Sequence, residues 1–209
     1  MDRIVTLKND LFVTKRFAYF QEFKTEIIRK SIHFLIALTP FMAALNRPFT
    51  MSVLMIGTLS YAYLETLRLL GTHIPLVSSI TNMASRSRDK GHFVMGPVTL
   101  GLGALLALLL YPSPAASIAI YALAFGDGFA SLIGKFFGRI RPACMNGKSI
   151  EGSFACFIAV FIVSHRVSYD YRIAFIAALS ATLIEALPLD DFDNILIPLT
   201  VGFVVGVNI

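Results

Sequence analysis

Seven apolar stretches, most of them about 17–22 residues long, divide the chain between residues 28 and 208. An α-helix needs ~20 residues to cross the hydrocarbon core of a bilayer. Because backbone groups in hydrocarbon must satisfy one another's hydrogen bonds, such stretches predict spanning helices. The seven predicted spans, of which the fifth is the shortest, are Ile28–Leu45, Phe49–Leu70, Phe93–Tyr111, Ala115–Phe136, Gly152–Arg166, Tyr171–Leu187 and Phe192–Asn208. We therefore expect an all-α fold, a polytopic membrane helix bundle.

The composition agrees with this fold class. Of the 209 residues, 56% are hydrophobic and 15% are charged, whereas soluble domains have roughly 45–50% apolar and about 25% charged residues. A chain of this length has room for one bundle and no separate soluble domain. We expect residues 1–26, in which apolar and basic residues interleave, to form an N-terminal interfacial segment. Residues 27–209 then form a single transmembrane domain.

The basic residues predict how the bundle is oriented. Of the 18 lysines and arginines, all but Arg47, Arg166 and Arg172 lie in the N-terminal segment up to Lys30 or in the second-to-third and fourth-to-fifth connections and the span ends beside them. Because basic residues concentrate in cytosolic loops, the N-terminus is expected in the cytosol and the C-terminus outside. The net charge of +5 is then explained by topology and by anionic headgroups, and we expect no nucleic-acid partner.

An acidic residue inside the fourth span is the strongest indication of a functional site. Asp127 lies within the apolar run Ile118–Phe137, where a carboxylate is costly and by default functional. Basic residues and then a further acid follow it, namely Lys135, Arg139, Arg141, Lys148 and Glu151. An acid followed by a basic, glycine-containing loop suits a metal ion and a polyphosphate.

The glycines of the same span have a second explanation. Small residues recur at every fourth position, which predicts a ridge for close helix packing. They are Ala122, Gly126, Ala130, Gly134 and Gly138.

Five acids fall toward the side of the membrane that carries the basic loops. They are Glu65, Asp127, Glu151, Glu185 and Asp193. Acids along an ion path would lie at several depths, so this arrangement favours a reaction centre at one membrane face. Simpler roles remain open for most of them: Glu151 and Asp193 as helix-start acids, Glu185 as a solvated residue, and Glu65 as the partner of Arg68.

The sequence Gly147-Lys148-Ser149 is not a P-loop. That motif requires a glycine five residues before Gly147, where this chain has Pro142, and it requires a preceding strand. Lys148 still supplies a charge for phosphate, and Gly147 allows close backbone approach. Ser149 is a candidate cap for the fifth helix, whose free N–H groups would then favour an anion.

Motifs in five parts of the chain resemble one family, the CTP-dependent polyprenol and lipid kinases, which include dolichol kinase, phytol kinase and CTP-dependent diacylglycerol kinase. The central part, Phe125–Arg139 (FGDGFASLIGKFFGR), is similar to that family's signature, as is the stretch GKSIEGS that begins at Gly147. The flanking parts are E-x-x-R-K-x-x-H from Glu26 to His33, Gly96-Pro97 through Gly103, and Glu185-Ala-Leu-Pro188 followed by Asp193-Asn194. A more distant similarity connects the central part to CDP-diacylglycerol synthases.

The resemblance implies an integral membrane lipid kinase of the bacterial inner membrane. It would transfer the γ-phosphate of CTP, in preference to ATP, to the hydroxyl of an isoprenoid alcohol or diacylglycerol at the cytosolic face. Which lipid it uses, and its oligomeric state, remain open, and the residues alone do not distinguish CTP from ATP.

The resemblance and the residue chemistry together suggest roles for individual side chains. Mg²⁺ is the expected cofactor, with Asp127, Glu151 and Asp193 as its ligands. Asp127 or Glu185 is expected to orient the attacking hydroxyl. The expected nucleotide-binding residues are Lys148, Arg139, Lys135, Gly147, Ser149, Arg29, Lys30 and His33.

Two alternative functions are compatible with the same sequence. A cytidylyltransferase of the CDP-diacylglycerol synthase type would release pyrophosphate from CTP. A small ion-coupled transporter would use the intramembrane acids to carry an ion.

The orientation can be tested by labelling single cysteines placed at position 90 and at position 209 in a chain without its own cysteines. We expect an impermeant thiol reagent to label position 209, and not position 90, in intact cells, because the basic loops face the cytosol. Labelling of position 90 from outside would contradict both the orientation and a cytosolic site.

Overall fold

The computed structural model describes residues 21–72, 81, 83, 89 and 91–209, and over these residues the chain is helical with no strand. The all-α prediction is therefore confirmed for this part of the chain. The helices are α1 (residues 21–34), α2 (Thr39–Leu69), α3 (Gly96–Leu110), α4 (Ala115–Phe137), α5 (Ile150–Ser168), α6 (Tyr171–Ala186) and α7 (Asp193–Asn208). The predicted interfacial segment 1–26 lies outside the described residues except for 21–26, which belong to α1.

Within residues 21–72 and 91–209, three helical stretches are long and apolar enough to cross a membrane, namely Gln21–Leu69, Ala115–Phe137 and Ile150–Ser168. Gly96–Leu110 is a shorter apolar helix. Together they identify a membrane protein, while the count of seven spans and the orientation stay predictions.

The first of these stretches is not one straight helix. A 3₁₀ turn, Leu35–Leu38, joins α1 to α2, and Asn46 interrupts α2 with a non-helical backbone (φ −155°, ψ 98°). Asn46 caps the part that follows, because its side-chain oxygen accepts the N–H of Phe49 at 3.0 Å. The boundary predicted between the first two spans lies at this interruption.

Helix α4 is the centre of the bundle, and it contacts α3, α5, α6 and α7. Its residues Ile118, Ala119, Ile120 and Leu123 have no solvent exposure. Many large apolar side chains on the outer helices are exposed instead, as expected of surfaces that face lipid.

A wide π-helical segment, Ala122–Asp127, interrupts α4 just before Gly128. Such segments inside α-helices are frequent at functional sites, because the extra residue per turn displaces the side chains and carbonyl groups that follow. Here the segment ends at Asp127, the acid predicted to be functional.

The predicted ridge of small residues lies against α5. A side chain at Gly126 would meet Cys156 and Val160, and one at Gly134 would meet Ser149 and Gly152. Close packing of α4 with α5 therefore requires small residues on both helices, which confirms the packing explanation for these glycines.

Replacing Gly152 by alanine should loosen this contact. A Cβ atom there would lie 2.7 Å from the Ala130 carbonyl oxygen and 3.1 Å from the Gly134 Cα atom, so we expect a loss of stability of about 1–3 kcal/mol. Gly57→Ala is the matched control, since nothing lies within 4 Å of a Cβ at that helical position. Thermal unfolding in detergent measures both; equal melting temperatures for the two variants would contradict the packing account.

Candidate active site

A polar cavity of about 340 Å³ opens at the end of the bundle where α6 ends and α7 begins. Helices α1 and α4 and the loop between α4 and α5 also contribute to its walls. Its lining includes Glu26, Asp127, Ser131, Gly134, Lys135, Arg141, Asn146, Gly147, Lys148, Ser149, Glu185, Asp190 and Asp193. Acids and bases from distant parts of the sequence thus meet in one place.

Asp127 is bound by two basic residues of α1. Its Oδ2 atom lies 2.5 Å from Lys30 Nζ and 3.2 Å from His33 Nε2. The Lys30 side chain is 1% exposed and that of Asp127 is 12% exposed. A charge that is so largely removed from water needs a partner of opposite charge. Lys30 and Asp127 are such partners for each other.

His33 also contacts the wide segment of α4. Its Nε2 atom is 3.0 Å from the carbonyl oxygen of Leu123. Because both neighbours of Nε2 are acceptors, the proton of the ring lies on that nitrogen, which leaves Nδ1 as the acceptor of a neutral imidazole. His33 therefore ties α1 to α4 at two points.

A second group of charges lies one helical turn away. Glu26, which is 3% exposed, accepts hydrogen bonds of 2.5 Å from Arg29 Nη2 and from Ser131 Oγ. Arg29 also donates to Ser131 at 3.3 Å, and Lys135 Nζ lies 3.9 Å from Glu26. Glu26 was not among the predicted site residues.

The spacing of residues along α1 could have identified Glu26 from the sequence. Glu26, Arg29, Lys30 and His33 are spaced by three, one and three residues, which is one face of a helix. Three of these four were predicted to bind the nucleotide, so the fourth position on the face was the one to add.

The opposite wall of the cavity carries Lys148. Its Nζ atom donates to the backbone oxygen of Glu185 and lies 3.3 Å from Asp193 Oδ2 and 3.7 Å from Glu185 Oε1. Ser153 Oγ donates to the second carboxylate oxygen of Glu185 at 3.0 Å. Lys148 therefore joins the end of α6 to the start of α7, and the predicted proximity of Glu185 and Asp193 to this lysine is observed.

The loop before Lys148 needs its glycine for conformation. Asn146 and Gly147 both have positive φ, 45° and 86° respectively, and a left-handed backbone favours glycine. The Arg141 guanidinium donates to the carbonyl oxygens of Gly134, at 2.7 Å, and of Gly147. The loop is thereby fastened to α4, with Lys148 directed into the cavity.

Two predicted site residues lie elsewhere. Glu151 accepts the backbone N–H groups of Arg139, at 2.9 Å, and of Ile140, at 3.2 Å, and it lines a separate apolar groove. Arg139 is exposed and is absent from the lining of the polar cavity, whereas Arg141 is part of it. Glu151 thus closes the turn after α4 and is not grouped with Asp127 and Asp193.

One further acid, Glu65, and the cap at the start of α5 have identifiable roles. Glu65 is fully buried and accepts both Arg68, at 2.7 and 2.8 Å, and the N–H of Val94 at 3.0 Å, so it holds α2 to the segment before α3. Ser149 Oγ accepts the Gly152 N–H at 3.1 Å, which confirms that it caps α5. Two N–H groups of the first turn of α5 are thus already bonded, since Ile150 donates to the Ile140 carbonyl oxygen and Gly152 donates to Ser149.

The donor set fits a metal ion that arrives with a nucleotide. Among the described residues, no three Asp, Glu, His or Cys side chains are arranged to hold a metal by themselves. Asp127 and Asp193 nevertheless line one cavity, and Mg²⁺ in phosphate-transfer sites takes one or two carboxylates together with phosphate oxygens and water.

The buried pair of Lys30 and Asp127 predicts a stability experiment. Lys30→Met should cost about 3–5 kcal/mol, because Asp127 would be left buried without its partner. The double variant Lys30→Met/Asp127→Asn removes both charges and should recover most of the loss. Unfolding of purified protein in detergent measures both; a single variant as stable as the unmodified chain, or a double variant no better than the single, would contradict the role of this pair.

Comparison with known proteins gives relatives that include several lipid kinases. The chain is 30% identical over 142 residues to the protein named "Probable phytol kinase, chloroplastic" from Triticum aestivum, which covers 59% of this chain and 46% of the relative. It is 28% identical over 122 residues to CTP-dependent diacylglycerol kinase 1 of Eremothecium gossypii, covering 56% and 37% of the two chains. It is 31% identical over 128 residues to a dolichol kinase of Schizosaccharomyces pombe, covering 54% and 25%.

The chain spans about half the length of the phytol kinases that it matches. No family model and no solved structure matches it. The three kinds of kinase among its relatives are those that its motifs resemble. The chain is thus homologous to the phytol, dolichol and CTP-dependent diacylglycerol kinases, and the resemblance to the CTP-dependent lipid kinase family is confirmed.

Proposed function

We propose that the chain phosphorylates the hydroxyl of a lipid alcohol, with CTP as the phosphate donor, at the cytosolic face of a bacterial inner membrane. The observation that carries the proposal is the polar cavity, in which Asp127, Glu185 and Asp193 meet Lys135, Arg141 and Lys148. Phosphoryl transfer requires mainly positioning and neutralisation of charge, and this cavity offers both signs of charge at the end of a membrane bundle.

The phosphate groups of the nucleotide would lie against the basic side of the cavity. Lys148 and Lys135 approach it from the loop and from α4, and Arg141 lines it beside Gly147. The backbone at Gly147 has no neighbour within 4 Å of a Cβ position, so a phosphate can approach it closely. Arg141 takes the place that the sequence suggested for Arg139.

Nucleotide binding would exchange partners among charges that are already paired. Asp127 is bound to Lys30, and Asp193 and Glu185 are bound to Lys148. A nucleotide with Mg²⁺ brings both an anion and a cation, so the lysines can turn to phosphate oxygens while the carboxylates of Asp127 and Asp193 turn to the metal. Asp127, Asp193 and Lys148 then have partners of opposite charge in either state, and Glu185 keeps the hydrogen bond from Ser153, which limits the desolvation cost.

The transfer itself forms one bond and breaks one. The oxygen of the lipid alcohol attacks the γ-phosphorus, the bond from that phosphorus to the bridging oxygen breaks, and CDP leaves with the electron pair. Asp127 or Glu185 orients the hydroxyl and receives its proton. Mg²⁺, when bound with the nucleotide, neutralises charge on the phosphate oxygens.

Two observations support CTP and the cytosolic face. One relative carries CTP dependence in its name, and the motifs of this chain resemble those of the same type of kinase. All the basic residues of the cavity belong to the positively charged loops and helix ends that the sequence assigns to the cytosol.

The activity is tested with purified protein in detergent micelles and CTP labelled at the γ-phosphate. Phytol, a polyprenol and diacylglycerol serve as acceptors, with labelled ATP in parallel. We expect label in the lipid with CTP. Label released as pyrophosphate would indicate a cytidylyltransferase instead, and ion uptake into vesicles without CTP turnover would indicate a transporter.

Lys148→Ala separates a nucleotide role from attraction to headgroups. We expect weaker nucleotide binding or slower turnover with an unchanged ranking of lipid alcohols, whereas a lysine that only faces headgroups contributes about 1 kcal/mol of surface attraction. Lys24→Ala, at an exposed position of α1, is the matched control. Steady-state kinetics with nucleotide and lipid varied separately decides between them; a Lys148 variant that behaves like the Lys24 control would remove Lys148 from the site.

Asp127→Asn should abolish turnover, and so should the double variant Lys30→Met/Asp127→Asn, in which neither buried charge is left without its partner. The amide keeps the shape of the carboxylate and loses its charge, and a loss of several kcal/mol in transition-state stabilisation lowers the rate by more than about a hundredfold. The rate with γ-labelled CTP measures this. Retention of more than about a tenth of the rate would show that Asp127 is not central to the reaction.

A further inference from the structure

A second, smaller cavity lies beside α1. It is separate from the polar cavity, which Glu26 of α1 and Asp127 of α4 line. Its volume is about 60 Å³, and α1, the segment leading into α3 and the start of α7 enclose it. Its described lining is mostly apolar and includes Ile32, Val94, Pro97 and Leu100. Arg29 and Asn194 add polar groups to it.

The two cavities share a thin partition. Arg29 and His33 line the small cavity, while the groups that they contact, Glu26, Ser131 and Asp127, line the large one. The Nε atom of Arg29 is buried without a hydrogen-bond partner among the described atoms. Arg29 and His33 are therefore the side chains that separate the small cavity from the groups around Asp127.

The small cavity continues into an apolar strip on α1. Ile28 lies four residues before Ile32 on the same face of α1, and Leu35 follows in the 3₁₀ turn that continues α1. Leu35 is 62% exposed. A hydrocarbon chain that entered the cavity at Ile32 could extend along this strip into the bilayer.

A larger apolar groove exists, but it does not reach the charged residues that line the polar cavity. It has a volume of about 700 Å³ and lies between α4 and α5, where Phe129 and Ile158 are among its walls. Behind it the two helices are in close contact, since even a Cβ atom at Gly152 would meet Ala130 and Gly134. A lipid in this groove has no path to Asp127 through the seam.

We propose that the small cavity binds the hydroxyl end of the lipid substrate, and that this substrate is a slender primary alcohol of the isoprenoid class. The inference rests on the proposed kinase function and names the acceptor side of that site. The polar cavity then holds the nucleotide, and the hydroxyl meets it across the partition formed by Arg29 and His33.

The size of the cavity carries the choice of substrate class. A volume of about 60 Å³ has room for a few water molecules, which suits a terminal CH₂–OH group and the first carbons behind it. Diacylglycerol carries ester groups on the two carbons behind its hydroxymethyl group and is too wide at that point. The apolar part of the walls favours hydrocarbon next to the hydroxyl, whereas the polar side chains of the lining, Arg29, His33, Asp89, Asp191 and Asn194, suit the hydroxyl itself.

A photoreactive isoprenoid alcohol, with a diazirine close to its hydroxyl, tests the location directly. After irradiation of the unmodified protein, we expect labelled peptides from residues 21–34, 91–110 or the start of α7, which enclose the small cavity. Labelling confined to residues 129–162, or to any part of the chain that does not line the small cavity, would overturn the inference. The same preparation is assayed with γ-labelled CTP, so a protein that phosphorylates no alcohol refutes the proposed function separately from the binding site.

Substitutions at Val94 test the substrate class. The Val94 backbone keeps its hydrogen bonds to Glu65 and Tyr61 in any variant, while its side chain sets the width of the cavity. Val94→Phe should raise the KM for phytol about tenfold with an unchanged KM for CTP, and Val94→Ala should raise the rate on diacylglycerol relative to phytol.

Ile158→Phe, in the groove between α4 and α5, is the matched control and should alter neither constant. An effect of Ile158→Phe on the KM for phytol with none from Val94→Phe would place the lipid in the outer groove instead. Diacylglycerol preferred over phytol by the unmodified chain would refute the substrate class and leave the kinase function standing.

Discussion

The ion pair between Lys30 and Asp127 is the interaction on which the rest of the site depends. An aspartate in an apolar helix is costly unless a cation neutralises it, and Lys30 lies 2.5 Å away on a different helix. This requirement fixes α1 against the wide segment of α4. Arg29 directly precedes Lys30 and His33 follows it by about one turn, so the same contact that neutralises Asp127 also builds the wall between the two cavities.

Close packing supplies the second condition. Because α4 and α5 meet through glycines, the loop that joins them returns tightly, and Ser149 caps α5 beside Gly134. Lys148, one residue earlier, then reaches the ends of α6 and α7. The glycines that pack α4 against α5 therefore also determine where the loop presents Lys148. The sequence could not distinguish a packing glycine from a ligand-binding one, because both require the absence of a side chain.

Much of the site was predictable from the sequence, since intramembrane charge is rare enough to be informative. Asp127, Lys148, Glu185 and Asp193 line one cavity, as their common position toward the basic loops suggested. Arg139 and Glu151 do not line it, because α4 ends at Phe137 and the extended residue Gly138 turns the chain so that Glu151 accepts two backbone N–H groups. Spacing along a sequence gives the side of the membrane, but side-chain direction in a loop depends on local hydrogen bonds that spacing does not contain.

The two cavities differ in polarity as the two proposed substrates differ in their need for water and charged partners. A triphosphate needs charged partners and water, whereas an isoprenoid chain needs walls that exclude them, so one undivided cavity would serve neither well. Helix α1 resolves this conflict by its faces: Glu26 lines the polar cavity, Ile32 lines the apolar one, and Arg29 and His33 stand between them. In this proposal the reacting groups meet at the partition beside Asp127. The charge of Asp127 is already neutralised there by Lys30.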